Sequence, residues 1–218
     1  MKKTVLALSL VLALGAGQAA AADVLVDTGP GQSPSGVILD GDPGILDWSQ
    51  SWWAGQFELA DAATLSGFDA WMSVSTGGAL TVKLYDAANG LPGGTSELYS
   101  TTFDVAQGGT DWYGTSGLAW SVGPGAYWLS FQPEAASSFS GALWMHPTEP
   151  LPHYAMKIRS SWELDPWGRE AADTFGIRVY GSAVPEPTTW LLLIAGFFGI
   201  GTALRRRRMV GGVSAAAI

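Results

Sequence analysis

A chain of 218 residues, 47% hydrophobic and with a net charge of −8, is long enough for one globular domain and too acidic to bind nucleic acid or an anionic lipid surface. It has no cysteine, which excludes a disulfide framework, a thiolate metal centre and a thiol nucleophile. The acid lies in the middle: residues 23–183 hold 18 of the 19 acidic side chains but five of the 11 basic ones, a net charge of −13.

Lys2 and Lys3 open the chain, Val5 to Leu14 is apolar, and Gln18 precedes the alanines Ala19 to Ala22. A basic start, a short apolar stretch and small residues are the parts of a secretory signal peptide. Signal peptidase is expected to cut after Ala22 or Ala21. Residues 1–22 are then lost, and the exported domain begins at Asp23.

The stretch Asp23 to Asp47 is rich in Gly, Pro, Ser and Asp, with Val24 to Val26 as a first edge strand. Asp40, Asp42 and Asp47 place three carboxylates on one tight loop, the ligand type that calcium takes. Their spacing is not that of an EF-hand, and Asp-Gly and Asp-Pro pairs form turns without any metal. The turn is the expected role. No cofactor is expected, and calcium on this loop is the one candidate.

From Gln56 onward the pattern is short strands separated by turns. Phe68, Ala70, Met72 and Val74 alternate with Asp69, Trp71, Ser73 and Ser75, and Leu80, Val82 and Leu84 alternate with Thr81, Lys83 and Tyr85. Both are period-2 strands with one buried face. Thr76-Gly77-Gly78 between them predicts a hairpin turn, and Asn89 to Gly94 a second turn. Further strands are expected over Leu98 to Val105, Leu118 to Val122, Tyr127 to Gln132, Gly141 to Met145, Tyr154 to Arg159 and Phe175 to Tyr180. No internal segment keeps a 3.6-residue apolar period. The fold expected is an all-β antiparallel sandwich, jelly-roll-like.

No catalytic constellation is legible: there is no nucleophile elbow, zincin helix, phosphate loop or dinucleotide fingerprint. His146, His153 and Glu149 fall in one Pro-rich stretch and read as a solvated loop before a metal site. Glu163 and Asp165 read the same way before a glycosidase pair. The chain is not expected to be an enzyme.

Tryptophan is unusually common, with 11 in the chain. Trp120 is in phase with Leu118 and Val122 and is expected in the core. Trp71 and Trp128 are out of phase with the apolar face of their strands. Left open, such side chains suit stacking on sugar rings, which makes them the candidate glycan-binding residues. The other reading is that a helix, loop or second sheet covers them.

The chain closes with Val184-Pro185-Glu186-Pro187, fifteen uncharged residues from Trp190 to Leu204, and the cluster Arg205, Arg206, Arg207 and Arg208. As a helix at about 1.5 Å per residue the apolar stretch spans roughly 22 Å, short of the ~30 Å hydrocarbon core. Four arginines beside it mark a cytoplasmic end. Pro-Glu-Pro, a short apolar helix and an arginine cluster, in that order, resemble the PEP-CTERM sorting signal. Exosortase, a membrane cysteine transpeptidase of Gram-negative bacteria, recognises that signal. The tail Met209 to Ile218 departs from the family, whose members usually stop soon after the basic cluster. The runs Leu65 to Trp71, Leu80 to Asp86, Gly90 to Gly94, Gly125 to Ser130 and Phe175 to Gly181 resemble the choice-of-anchor exported domains, β-sandwiches that precede bacterial sorting signals.

The organisation expected is a signal peptide at 1–22, an exported sandwich at 23–183, a sorting signal with a transmembrane helix at 184–208 and a short tail at 209–218. The expected function is that of a surface or extracellular-matrix protein, structural or adhesive, with extracellular polysaccharide as a weak partner. Exosortase, signal peptidase and, before processing, the inner membrane are its other partners. The alternatives are a periplasmic protein held by a single membrane span, and a glycan-acting hydrolase whose acidic residues are not identified.

Overall fold

The computed structural model describes residues 23–40, 52–88, 90–93, 96–134, 137–146, 151–158, 161–164, 174–184, 192–198 and 200. Asp42, Asp47, Glu149, Asp165, Pro185, Glu186, Pro187, the arginines 205–208 and the segments 1–22 and 209–218 lie outside them. Twelve strands are described: β1 (Asp23–Asp27), β2 (Ser33–Asp40), β3 (Trp52–Leu59), β4 (Ala63–Thr76), β5 (Gly78–Asp86), β6 (Glu97–Val105), β7 (Gly108–Val122), β8 (Gly125–Pro133), β9 (Ser140–Met145), β10 (Tyr154–Ile158), β11 (Ser161–Leu164) and β12 (Ile177–Ala183).

The strands form two antiparallel sheets. In one, β2, β9, β4 and β7 lie side by side; in the other, β3, β8, β5 and β6 do. These eight strands follow the jelly-roll order, so the all-β sandwich expected from the alternation is the observed fold. The remaining strands extend it. β12 and β1 add to the first sheet, and β10 and β11 add to the second beyond β3. β4 pairs with three other strands. β7 pairs with it along one edge, while β12 takes the first half of its other edge and β9 the second half.

Alternation places one face of each strand inside. Leu65, Phe68, Ala70, Met72 and Val74 of β4 meet Leu80, Val82 and Leu84 of β5 and Leu129 and Phe131 of β8, all essentially inaccessible to water. Trp53 stacks on Tyr154, and Phe131 meets Phe175 edge-on. Each such side chain contributes about 1.5–3 kcal/mol on burial. Trp120 belongs here too, stacked on Tyr99 at 5.2 Å and tilted against Phe68.

Three strand expectations are corrected. The Thr76–Gly78 link is not a hairpin, because β4 and β5 belong to opposite sheets and the chain crosses between them. A Cβ on Gly78 would come within 2.5 Å of the Phe139 amide, so glycine lets the link pass that segment. β7 begins at Gly108, ten residues before the expected Leu118, and β2 runs through a stretch read as turns. Side chains cap backbone groups of the long edge strand β7. Asp111 Oδ1 accepts from the Trp112 amide at 2.8 Å, and the Tyr113 and Tyr99 hydroxyls donate to Gly109 O and Ser121 O. Such capping blunts strand addition by another chain.

Beyond the sandwich, residues 192–198 are helical. Among the described residues no helix is long and apolar enough to cross a membrane.

Candidate functional site

β12 is the last described strand of the sandwich. It lies between β1 and β4, with Asp23 opposite Gly181 on one side and Ala63 opposite Ala183 on the other. The Val184 amide donates to Ala62 O at 2.7 Å and is the last described group tied to the sandwich. Val184, the first residue of the expected motif, therefore sits where the chain leaves the sheet. Further on, Leu192, Phe197 and Phe198 are 74, 69 and 73% exposed, so the short helix packs its apolar side chains on nothing described.

A second candidate lies on the outer face of the first sheet. Outward positions of β4 alternate with the core positions and carry Asp69 and Trp71. Trp112 stands directly across from Trp71 on β7, and the two rings meet edge to face at 5.3 Å. From β12, on the other side of β4, come Arg178 and Tyr180. The Arg178 guanidinium lies 4.0 Å from the centre of the Trp112 ring, and its Nε donates to Asp27 Oδ2 at 3.1 Å. The Tyr180 hydroxyl donates to Asp69 Oδ2 at 2.6 Å. Burial, and then the carboxylate it bonds, push the Tyr180 phenol above its usual range. Trp71 Nε1 and Ser66 Oγ are buried and find no partner among the described residues. The result is a half-buried pair of indoles framed by an arginine, a phenol and a carboxylate. Flat apolar rings beside fixed donors and acceptors are suited to sugar rings.

Trp128 does not join this surface. It faces outward from β8, as its phase implies, but is 1% exposed. The segment after β5 folds over it, and Trp128 Nε1 donates to Gly90 O at 2.7 Å. With Ala54, Tyr85 and Ala155 it forms a second small core outside the second sheet. The expectation of an open Trp128 is corrected: a loop covers the ring.

Asp40 ends β2, while Asp42 and Asp47 are outside the described residues, so the calcium candidate has one described ligand. His146 follows β9 in one sheet and His153 precedes β10 in the other. Among the described residues there is no group of three or more side chains that could hold a metal ion. Sequence reasoning missed Trp112, Arg178 and Tyr180. The last two were within reach, because both alternate with Ile177 and Val179.

Residues 183–208 match the PEP-CTERM protein-sorting motif. The chain thus carries this motif, which supports exosortase-dependent sorting to the cell surface, and the motif begins at the last residue of β12. No curated protein matches the chain.

Proposed function

We propose that this is an exported surface or matrix protein that exosortase releases from an inner-membrane precursor, and that its sandwich contacts extracellular polysaccharide through Trp71 and Trp112. The sorting motif that starts where β12 ends carries the first half of the reading. Pro-Glu-Pro follows the last described strand and lies within none of those described, so cutting there breaks no described strand pairing of the sandwich. The glycan half rests on the paired indoles and their polar frame on the outer face of β4, β7 and β12. Contact of this kind is structural or adhesive, and no catalytic role is assigned. Signal peptidase acts at the other end, before Asp23.

The test is fractionation and intact-mass analysis in a host with and without its exosortase. A cell-surface or extracellular species that lacks the arginine cluster, and disappears without exosortase, is the expected result. A full-length chain that stays in the inner membrane in both hosts overturns sorting and favours a permanently anchored periplasmic protein.

A further inference from the structure

The second sheet carries an outer face of different chemistry. Beneath it lies the small core already described, with Ala54 of β3 and Ala155 of β10 beside Trp128 and Trp162 packed on its edge, and Ser130 of β8 is buried with them. Gln132 Nε2 donates to Ser130 Oγ at 2.8 Å and to Tyr85 Oη at 3.0 Å, so the buried polar groups of this layer satisfy one another. Above it runs one cross-strand row. Lys157 of β10 stands between Trp52 of β3 and Trp162 of β11, directly paired with each. All three side chains are half-buried. Gly93, in the loop that covers Trp128, lies against Trp162 and walls one side: a Cβ there would come within 3.3 Å of the indole.

The charge of Lys157 is unusual in its setting. Residues 23–183 hold 18 acids against five bases. Yet Lys157 Nζ lies 3.6 Å from the centre of the Trp52 ring, and no carboxylate among the described residues lies within salt-bridge reach of it. The other lysine of this face, Lys83, is bonded to Glu97 at 2.9 Å. Burial, and then the charge of Lys83, hold the Lys157 ammonium below its usual range. An ammonium in that position gains from an incoming anion. Trp52 Nε1 is a buried donor with no acceptor among the described residues.

We propose that this face is a binding site for a carboxylate-bearing sugar, with Lys157 on the carboxylate and the indoles of Trp52 and Trp162 on the ring faces. Neighbouring strands are about 4.8 Å apart, so the two indoles stand on strands roughly 10 Å apart with the ammonium between them. Successive rings of an acidic glycan can bridge that spacing. The site is separate from Trp71 and Trp112, which lie on the opposite sheet.

The probe is trigalacturonate, with its fully methyl-esterified form as the uncharged comparison. Intrinsic tryptophan fluorescence of the mature protein should respond to trigalacturonate in a saturable way and respond much less to the ester. Lys157→Met should weaken binding about tenfold, the effect expected on losing a hydrogen bond between charged groups. Lys157→Arg should restore most of it, and a thermal melt confirms that each variant is folded. No saturable response in the wild-type protein overturns the site. Equal affinity for acid and ester, or for wild type and Lys157→Met, overturns the role of the charge.

Discussion

Asp23 and Gly181 stand opposite each other where the β1–β12 ladder begins. The segment before Asp23 and the sorting motif after Ala183 therefore leave the sandwich at one place, a single strand spacing apart. The body of the fold is closed between them, since Val184 is tied back to Ala62 and the helix at 192–198 packs on nothing described.

A chain limited to residues 23–184 should consequently fold. Its melting should be cooperative and its Tm should match that of the detergent-solubilised full chain within a few degrees. Circular dichroism of both decides the matter, and an unfolded truncation would place the C-terminal helix in the core.

The tryptophans should separate into two groups. Trp128→Ala and Trp120→Ala remove buried rings and should each cost about 3–5 kcal/mol. Trp112→Ala loses an edge-to-face contact and a cation–π contact, together about 1–2 kcal/mol. Denaturant unfolding measures all three. A Trp112→Ala variant as unstable as Trp128→Ala would show that a core, not an open platform, surrounds that ring.

In the inner-membrane precursor proposed above, replacing Arg205 to Arg208 with glutamine would remove the charge that marks the cytoplasmic end. Unprocessed precursor should then become the main species on intact-mass analysis of membranes and medium. Unchanged processing would remove the arginines from the signal.

Alkaline pH should act through Tyr180. Its phenol titrates above the ordinary 10.0 because the site is partly buried and Asp69 lies against it. The unfolded chain then releases this proton first, so the contribution of Tyr180 is complete below about pH 10 and is lost as pH rises through the folded value. Tm should fall more steeply between about pH 9 and about pH 11 in the wild type than in Tyr180→Phe. Parallel curves would mean that the Tyr180–Asp69 bond has no weight. Tyr127, raised in the same direction by burial and Asp86, is common to both proteins.

The alternation along β4, β5, β8 and β12 was legible because a buried face imposes it residue by residue. It correctly assigned Trp71 and Trp128 to outward positions. It could not say which outward ring is covered, since the loop over Trp128 is brought there by the chain reversal between β5 and β6. The same pattern serves a hairpin and a crossing between sheets, which is why Gly77 and Gly78 misled. β2 was hidden for another reason: Ser33-Pro34-Ser35-Gly36 has the composition of a turn, and the ladder to β9 shifts register across it and runs residue by residue only from Val37 to Asp40. The sorting motif was the most legible part, because its order of residues is local and needs no fold to define it.

β12 continues directly into the sorting motif and is hydrogen-bonded on both sides, to β1 and to β4. When the protein is held by that end while its faces grip something else, a pull on Val184 runs along the strand. The bonds of both ladders then share the load in shear, where a hairpin pulled from its tip would open them one at a time. Lifetime under force is set by the unfolding barrier, so an attachment made at this end would load a strand held by two ladders.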